Sequence, residues 1–523
     1  MQKQLVAILA VFWGITAALG QENMTLKSNL QYDMRASDIW GWEDGEGNRY
    51  AIIGLLEGTS LVDITTPEFP VEVAYIPGPS SIWRDIKTWN NHAYVTNETA
   101  GGLLIIDLND LPAFPDTLSY TGDSLKTAHN IFIDEQGIAY IIGSNLDNGG
   151  AVFLDLNGDP KAPVALGSYS TNYCHDVYVR GDTMWTAEIY VGQFSVVDIS
   201  DKTEPVVLAT QSTPTTFAHN CWLSDDGTTL FTTDEVSGAP VGAYNVADLS
   251  DIQLLDTYES SPGMGVIPHN TFYRDGFLFT SYYRDGVTVV DAHKPDNLIQ
   301  VGHYDTSPFS SASGFNGCWG VYPYFSDSII VASDIEEGLF VLEADFERAA
   351  YLEGILTDIN TGGFLSGAQI EVLATENTVF SAVTGSYQTG AGSPGLYDVR
   401  ISKPGCVTEL FSGISLESGI VYELDAALNC TAVVDVQEMP ANLLCSVQPS
   451  VFQETFQLSY QFLHPGSERF AVLTDMSGKM IETWQLTNLK GQITSGQSVY
   501  PGMYLLNIVE QGKQLEVHRL LKL

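Results

Sequence analysis

Basic side chains are scarce in this chain: 22 Lys and Arg stand against 64 Asp and Glu, a formal net charge of −42 at neutral pH. A surface of that sign repels phosphate backbones and anionic lipid, so nucleic acid is excluded as a partner, while cations and neutral ligands are not. Charge itself is sparse, at 16% of residues against 44% hydrophobic, so the acidity comes from missing Lys and Arg and not from an acidic disordered tail. Past the first twenty residues no apolar run is long enough to cross a bilayer, and no transmembrane segment is expected. Cysteine is limited to six residues with no CxxC pair, which removes the common structural zinc frameworks. GxSxG, HExxH, Walker and dinucleotide motifs are all missing, so the sequence nominates no catalytic residue.

What is present begins with a leader-like segment. "MQKQLVAILAVFWGITAALG" places Lys3 before an apolar run and ends in small residues, Ala18 and Gly20. That is the layout of a secretory signal peptide over 1–20, with cleavage expected before Gln21. Export permits disulfides, and Cys406 with Cys430 is the favoured pair, Cys445 being the competing partner. A bridge between Cys174 and Cys221 is a further candidate.

A repeat decides the architecture. "TSLVDI", "LLIIDL", "AVFLDL", "FSVVDI", "VGAYNV", "VTVVDA" and "LFVLEA" each read as an apolar strand closing on Asp63, Asp107, Asp155, Asp198, Asn245, Asp291 or Glu343. The spacing of roughly 43 to 52 residues, with four short strands per unit, is that of a propeller blade. The expected fold is all-β: a seven-bladed β-propeller over 24–345, a β-sandwich over 351–432 and a small C-terminal β-sandwich over 440–523. The seventh unit lacks a fourth strand, and "SNLQYD" (28–33) matches the pattern needed to supply one and cover the open edge.

The "LVDI/IIDL/VVDI" strands resemble the LVIVD-repeat, choice-of-anchor B family of secreted bacterial proteins. That resemblance implies a surface propeller and supplies no catalytic residue. Residues 351–432, with "GAQIEV" and "GLYDV", resemble a carboxypeptidase-regulatory-like sandwich, a structural relation that implies no peptidase. The tail resembles a type IX secretion sorting domain of Bacteroidetes, through the Asp475-Met476-Ser477-Gly478-Lys479 turn, the strand opening at Gly502-Met503-Tyr504-Leu505, and the terminal Arg519-Leu520-Leu521-Lys522-Leu523. Gln448-Pro449-Ser450 stands where that family has Pro-Asn-Pro. The resemblance implies export across the outer membrane, with the secretion machinery as a partner and the cell surface or medium as destination.

Four of the nine histidines occur in one context: "AHN" at 128–130 and 218–220, "CHD" at 174–176 and "PHN" at 268–270. Aligning the units puts His129, His175, His219 and His269 at the start of the innermost strand of four blades, with Trp40, Arg84 and Trp319 at the equivalent place in the other three. Second strands end on the same face, bringing Glu57, Glu98, Glu188, Asp234, Glu235, Asp334 and Glu336 toward it. Imidazoles and carboxylates round an axis are a ligand set for a divalent ion, the one candidate cofactor, held by His129, His175, His219 and His269. The same pattern also serves as stitching between blades through hydrogen bonds to backbone.

Three functions follow: a secreted binding protein, without catalysis, that takes a glycan, peptide or protein on the axial face through Arg84, Trp40, Trp319, the histidines, Glu98, Glu188 and Asp234; a metal-dependent hydrolase or lyase in the same funnel; or a scaffold whose ring holds nothing. "DLNGDP" around Asp155 and Asp159 lacks the ligand run of a calcium loop, and Asp after each third strand reads more simply as a turn cap.

Overall fold

The repeated aspartate is the local device that builds each unit. Its Oδ1 accepts the backbone N–H two residues on at Asp63, Asp107, Asp155, Asp198, Asn245 and Asp291. This is an Asx turn, which ends the third strand and reverses the chain into the fourth. Glu343, whose side chain is longer by a methylene, instead meets Lys27 at 3.0 Å.

A computed structural model of the protein describes residues 21–375, 377–430, 443–463, 469–475, 479–497, 499–510 and 513–523. The leader at 1–20 and Met476, Ser477 and Gly478 of the tail turn lie outside the described residues. The chain divides after Asn429 into two compact units.

In the first unit, seven antiparallel sheets follow one another along the chain, over 36–77, 86–120, 130–169, 176–212, 218–258, 268–304 and 318–344. Their first strands are Ala36–Glu43, Ile86–Trp89, Asn130–Ile133, Asp176–Arg180, Ala218–Leu223, Pro268–Arg274 and Cys318–Tyr322. Each first strand contacts the first strands before and after it, and the last contacts the first, so they form a closed cycle. This is a β-propeller, with each sheet's innermost edge turned to a common axis.

The last sheet contributes only three strands of its own. Met24–Leu30 supplies the fourth, antiparallel to Gly338–Ala344. Gln21–Glu22 continues onto the outer edge of the sixth sheet, against Tyr304 and His303. The N-terminal strand therefore lies a little earlier than the "SNLQYD" expected from the sequence. Glycine marks how closely third and fourth strands approach. A Cβ on Gly150 would lie 1.9 Å from Tyr169 O, and one on Gly338 would lie 2.5 Å from Leu30 O, so the N-terminal strand sits as a resident fourth strand does.

Packing between sheets is apolar and complete. Ile105, Phe153, Val196, Ala243, Val289 and Val341, from the repeated third strands, are fully buried. Burial at about 25 cal/mol per Å2 of apolar surface makes these strands, with the equally buried second strands, a main source of stability.

Residues 350–428 form two further sheets in the same unit. Ala350–Asp358 pairs with Ser386–Ala391 and, in parallel, with Val421–Glu423 and Ala426–Leu428. Gln369–Val372, Thr378–Phe380, Gly395–Ser402 and Glu409–Leu416 form the other sheet. Arg348 joins this sandwich to the sixth sheet, its Nη1 2.9 Å from the fully buried Asp291 carboxylate. In the second unit a three-stranded and a five-stranded sheet enclose their own core around Leu458, Leu473, Leu506 and Ile508.

Cys406 and Cys430 are disulfide-bonded, whereas Cys174, Cys221, Cys318 and Cys445 are free. The expected Cys174 to Cys221 bridge is not formed. Both thiols are buried and face backbone carbonyls instead, Cys174 toward Asn172 O at 3.8 Å and Cys221 toward Trp185 O at 3.5 Å.

Candidate functional site

Where the first strands begin, the backbone pairing slips. The register jumps between Ala218 and Asn220, between Pro268 and Thr271, between Cys318 and Gly320, and between Ala36 and Ile39. Such bulges re-aim the skipped side chain, here toward the axis. In those four sheets the skipped positions are led by His219, His269, Trp319 and Ser37.

This corrects the place of Trp40. It lies three residues further along its strand, in a separate aromatic cluster with Phe272, Tyr322 and Tyr324, with the Lys87 ammonium 4.3 Å from its ring centroid. Ser37, followed by Asp38, holds the ring position in that sheet.

The four imidazoles stand shoulder to shoulder. Ring centroids are 4.1 Å apart for His129 and His175, 4.2 Å for His175 and His219, and 4.5 Å for His219 and His269, and the Trp319 indole continues the row 4.9 Å from His269. Two of their Nδ1 atoms are committed to the next sheet. His219 Nδ1 donates to His269 O at 3.1 Å and His269 Nδ1 to Trp319 O at 2.5 Å. At His175 the approach to the His219 backbone is too poor to close the bond, and its Nδ1 is buried without a partner. Hydroxyls reinforce the stitching: Thr96 donates to His129 O, Thr233 to His269 O and Ser281 to Trp319 O.

A carbonyl only accepts, so His219 and His269 carry their proton on Nδ1 and present the Nε2 lone pair. Burial, with the neighbouring imidazoles, holds His175 and His219 well below the usual histidine range and pushes His269 down to about 3. These rings are neutral bases at physiological pH.

Those lone pairs point toward Glu235. Its Oε2 is 3.7 Å from His219 Nε2, and its Oε1 is 4.0 Å from His269 Nε2. His219 Nε2 is sealed from solvent and has no hydrogen-bond partner. Tyr283, from the next sheet, fixes the carboxylate by donating to Oε1 at 2.6 Å. Burial raises the Glu235 carboxyl to about 7. One ligand atom each from His175, His219 and Glu235 falls within 4.8 Å of the others.

The four histidines and Trp319, with Trp83, Arg84 and Asp85 but without Glu235, line an adjoining cavity that measures about 20 Å3. That is room for a single water or ion.

The remaining expected residues divide. Glu98 belongs to the rim, accepting from His129 Nδ1 at 2.5 Å. Arg84 lines the cavity, but its guanidinium is spent on backbone carbonyls of Leu55, Leu56 and Pro79. Glu188 does not reach the axis: it is buried and accepts from Tyr169, Asn172, Thr186 and Gln193. Asp234 is likewise turned away, holding the 215–217 loop through Thr215 and Phe217.

One residue deeper lies an acidic layer of Asp38, Asp85 and Asp176. Lys87 Nζ sits in it, 2.7 Å from Asp85 Oδ1, as a cation built into the chain. Asn220 donates to Asp176 at 2.6 Å. Burial raises all three carboxyls, that of Asp176 to about 7. Lys87 is the counter-ion of this layer.

No family model and no curated protein match the chain. Among solved structures it is similar to the β-propeller domain of Myceliophteria thermophila Cps50 (Swd1), at 8% identity and a TM-score of 0.43, over 61% of this chain and 99% of that one. It is also similar to a "putative 6-phosphogluconolactonase" from Bacteroides uniformis, at 13% identity and a TM-score of 0.40, over 50% and 83%. Among the described residues no helix is long and apolar enough to cross a membrane.

Proposed function

We propose that this protein is an exported β-propeller binding protein, without catalysis, whose axial pocket holds one divalent transition-metal ion through His175, His219 and Glu235. The observation that carries the reading is the His219 Nε2 lone pair, buried without a partner and facing a carboxylate that is only 16% exposed. Orphaned acceptors in so dry a place cost about 1–3 kcal/mol, and an ion removes that cost.

Two imidazoles and a carboxylate suit zinc or copper. Ligand atoms on a tetrahedral zinc stand roughly 3.3 Å apart. The 3.7 Å between His219 and Glu235 closes to that with a small side-chain movement. The Nδ1 bond of His219 to His269 O acts as the outer partner that orients a metal-bound imidazole, so at that residue stitching and ligation are one device.

A hydrolase reading asks for a substrate beside the ion. Small-molecule sites occupy on the order of 300 Å3 or more, and the axial cavity offers about 20 Å3. Export as an LVIVD-type propeller with a type IX tail is part of the same proposal, supported by the leader pattern, the repeated third strands and the form of the last eighty residues.

The test is zinc and copper titration of chelator-stripped protein by calorimetry, beside Glu235→Gln, which keeps an acceptor for Tyr283. Wild type binds one ion at the axis, and the variant binds it at least 10–100-fold more weakly. Equal affinity in both would overturn the reading.

A further inference from the structure

In the second unit, the strand Lys513–Lys522 carries an inverted pattern. Leu520 and Lys522 face the core between the two sheets and are buried, so by alternation Glu516 and His518 share their face. Meanwhile Leu515 and Val517 point outward, 38% and 45% exposed. Two polar side chains face inward and two apolar ones face water, the reverse of what a sandwich requires. Such reversals mark functional positions more often than packing ones.

Opposite them, on Leu443–Gln448 of the other sheet, stands the free and half-buried Cys445, packed against the edge of the same core. Its Sγ is 2.9 Å from His518 Nε2, and Glu516 Oε1 is 3.2 Å from that nitrogen. One ligand atom from each of the three lies within 4.8 Å of the others. The set does not have the geometry of a nucleophile with its base and orienting acid, because thiol and carboxylate both approach Nε2 and neither engages Nδ1. Their convergence on one nitrogen is what three ligands around one ion look like.

We infer that Cys445, Glu516 and His518 form a zinc-class metal site that ties the two sheets of the C-terminal unit together. Thiolate, imidazole and carboxylate are all zinc ligands, and the partial exposure of each leaves a way in and a fourth position for water. Across a tetrahedral zinc, sulfur and nitrogen stand about 3.5 Å apart, so the ion opens the present contact by roughly half an ångström. Binding releases the thiol proton and pins Leu443–Gln448 to Lys513–Lys522, adding a link between the sheets to their shared apolar core and the Ser495–Glu482 hydrogen bond. The site is independent of the axial one, which holds no thiolate.

Cobalt(II) distinguishes the two, because only a thiolate ligand gives the near-ultraviolet sulfur-to-cobalt charge-transfer band. Titration of the stripped full chain is expected to produce that band with one equivalent of ion, and zinc to displace it. Cys445→Ser should abolish the band while leaving the axial ion bound, and His518→Gln should weaken cobalt at this site by at least 10–100-fold. Zinc should also slow alkylation of Cys445 in the unmodified protein, a readout that needs no variant to fold. Absence of a charge-transfer band in the wild type, its persistence in Cys445→Ser, or alkylation indifferent to zinc would each overturn the assignment. Loss of the axial ion in Glu235→Gln, with this band intact, would leave the inference standing.

Discussion

At the scale of single residues, the protein sets the protonation of buried groups by where it seats them. Asp334 closes the second strand of the last sheet, fully buried, with its carboxylate accepting from Glu336 N, Glu337 N and Thr306. Burial outweighs those bonds and raises it to about 7. At this group the folded state therefore binds more protons than the unfolded chain between about pH 4 and pH 7, and its contribution to stability falls as pH rises through that window. Asp334→Asn removes a contribution that favours the fold at pH 5 over pH 8, so its urea midpoint at pH 5, measured relative to that at pH 8, should fall below the wild-type value; an unchanged difference would contradict this. At the same scale, Glu235 explains why the site was only partly legible. Several acids follow the second strands in the sequence, and nothing in the letters says which turns inward. Tyr283, supplied by the neighbouring sheet 48 positions away, makes that choice.

At the scale of elements, the repeated aspartate was readable because it performs a local task. Asp155→Ala removes the Asx bond from Asn157 N and a second, exposed bond from Asn157 Nδ2, and should cost about 0.5–1.5 kcal/mol in urea unfolding. Gly150→Ala is predicted to cost more, about 1–3 kcal/mol, since its Cβ would lie 1.9 Å from a backbone carbonyl that cannot yield without breaking strand pairing. The reverse order would show that turn chemistry, not strand approach, fixes these sheets. Trp40 shows where such reading fails. Counting from the repeat assigns it to the ring, but a two-residue bulge between Ala36 and Ile39 gives that place to Ser37. A serine among histidines and tryptophan carries no signal, and bulges leave none in the pattern of apolar residues.

At the scale of the whole molecule, the cycle of seven sheets depends on one N-terminal strand. Met24–Leu30 covers an edge that would otherwise be open, so deleting residues 21–30 should lower the melting temperature and promote association through Gly338–Ala344, measurable by scattering. The same closure presses four imidazoles together and turns two of their lone pairs toward Glu235. Architecture and the gathering of histidines and acids on one face were legible from the period; which of them meet, His175 with His219 and Glu235 from two adjacent sheets, was not, because it is set only once the ring is closed. The most direct measurement is the anomalous difference density of zinc-loaded crystals at the zinc edge. The account predicts a peak at the axis, about 2.0–2.2 Å from His219 Nε2, a Glu235 oxygen and a His175 nitrogen. A zinc-loaded crystal with no axial peak, and with water alone on His219 Nε2, would contradict it.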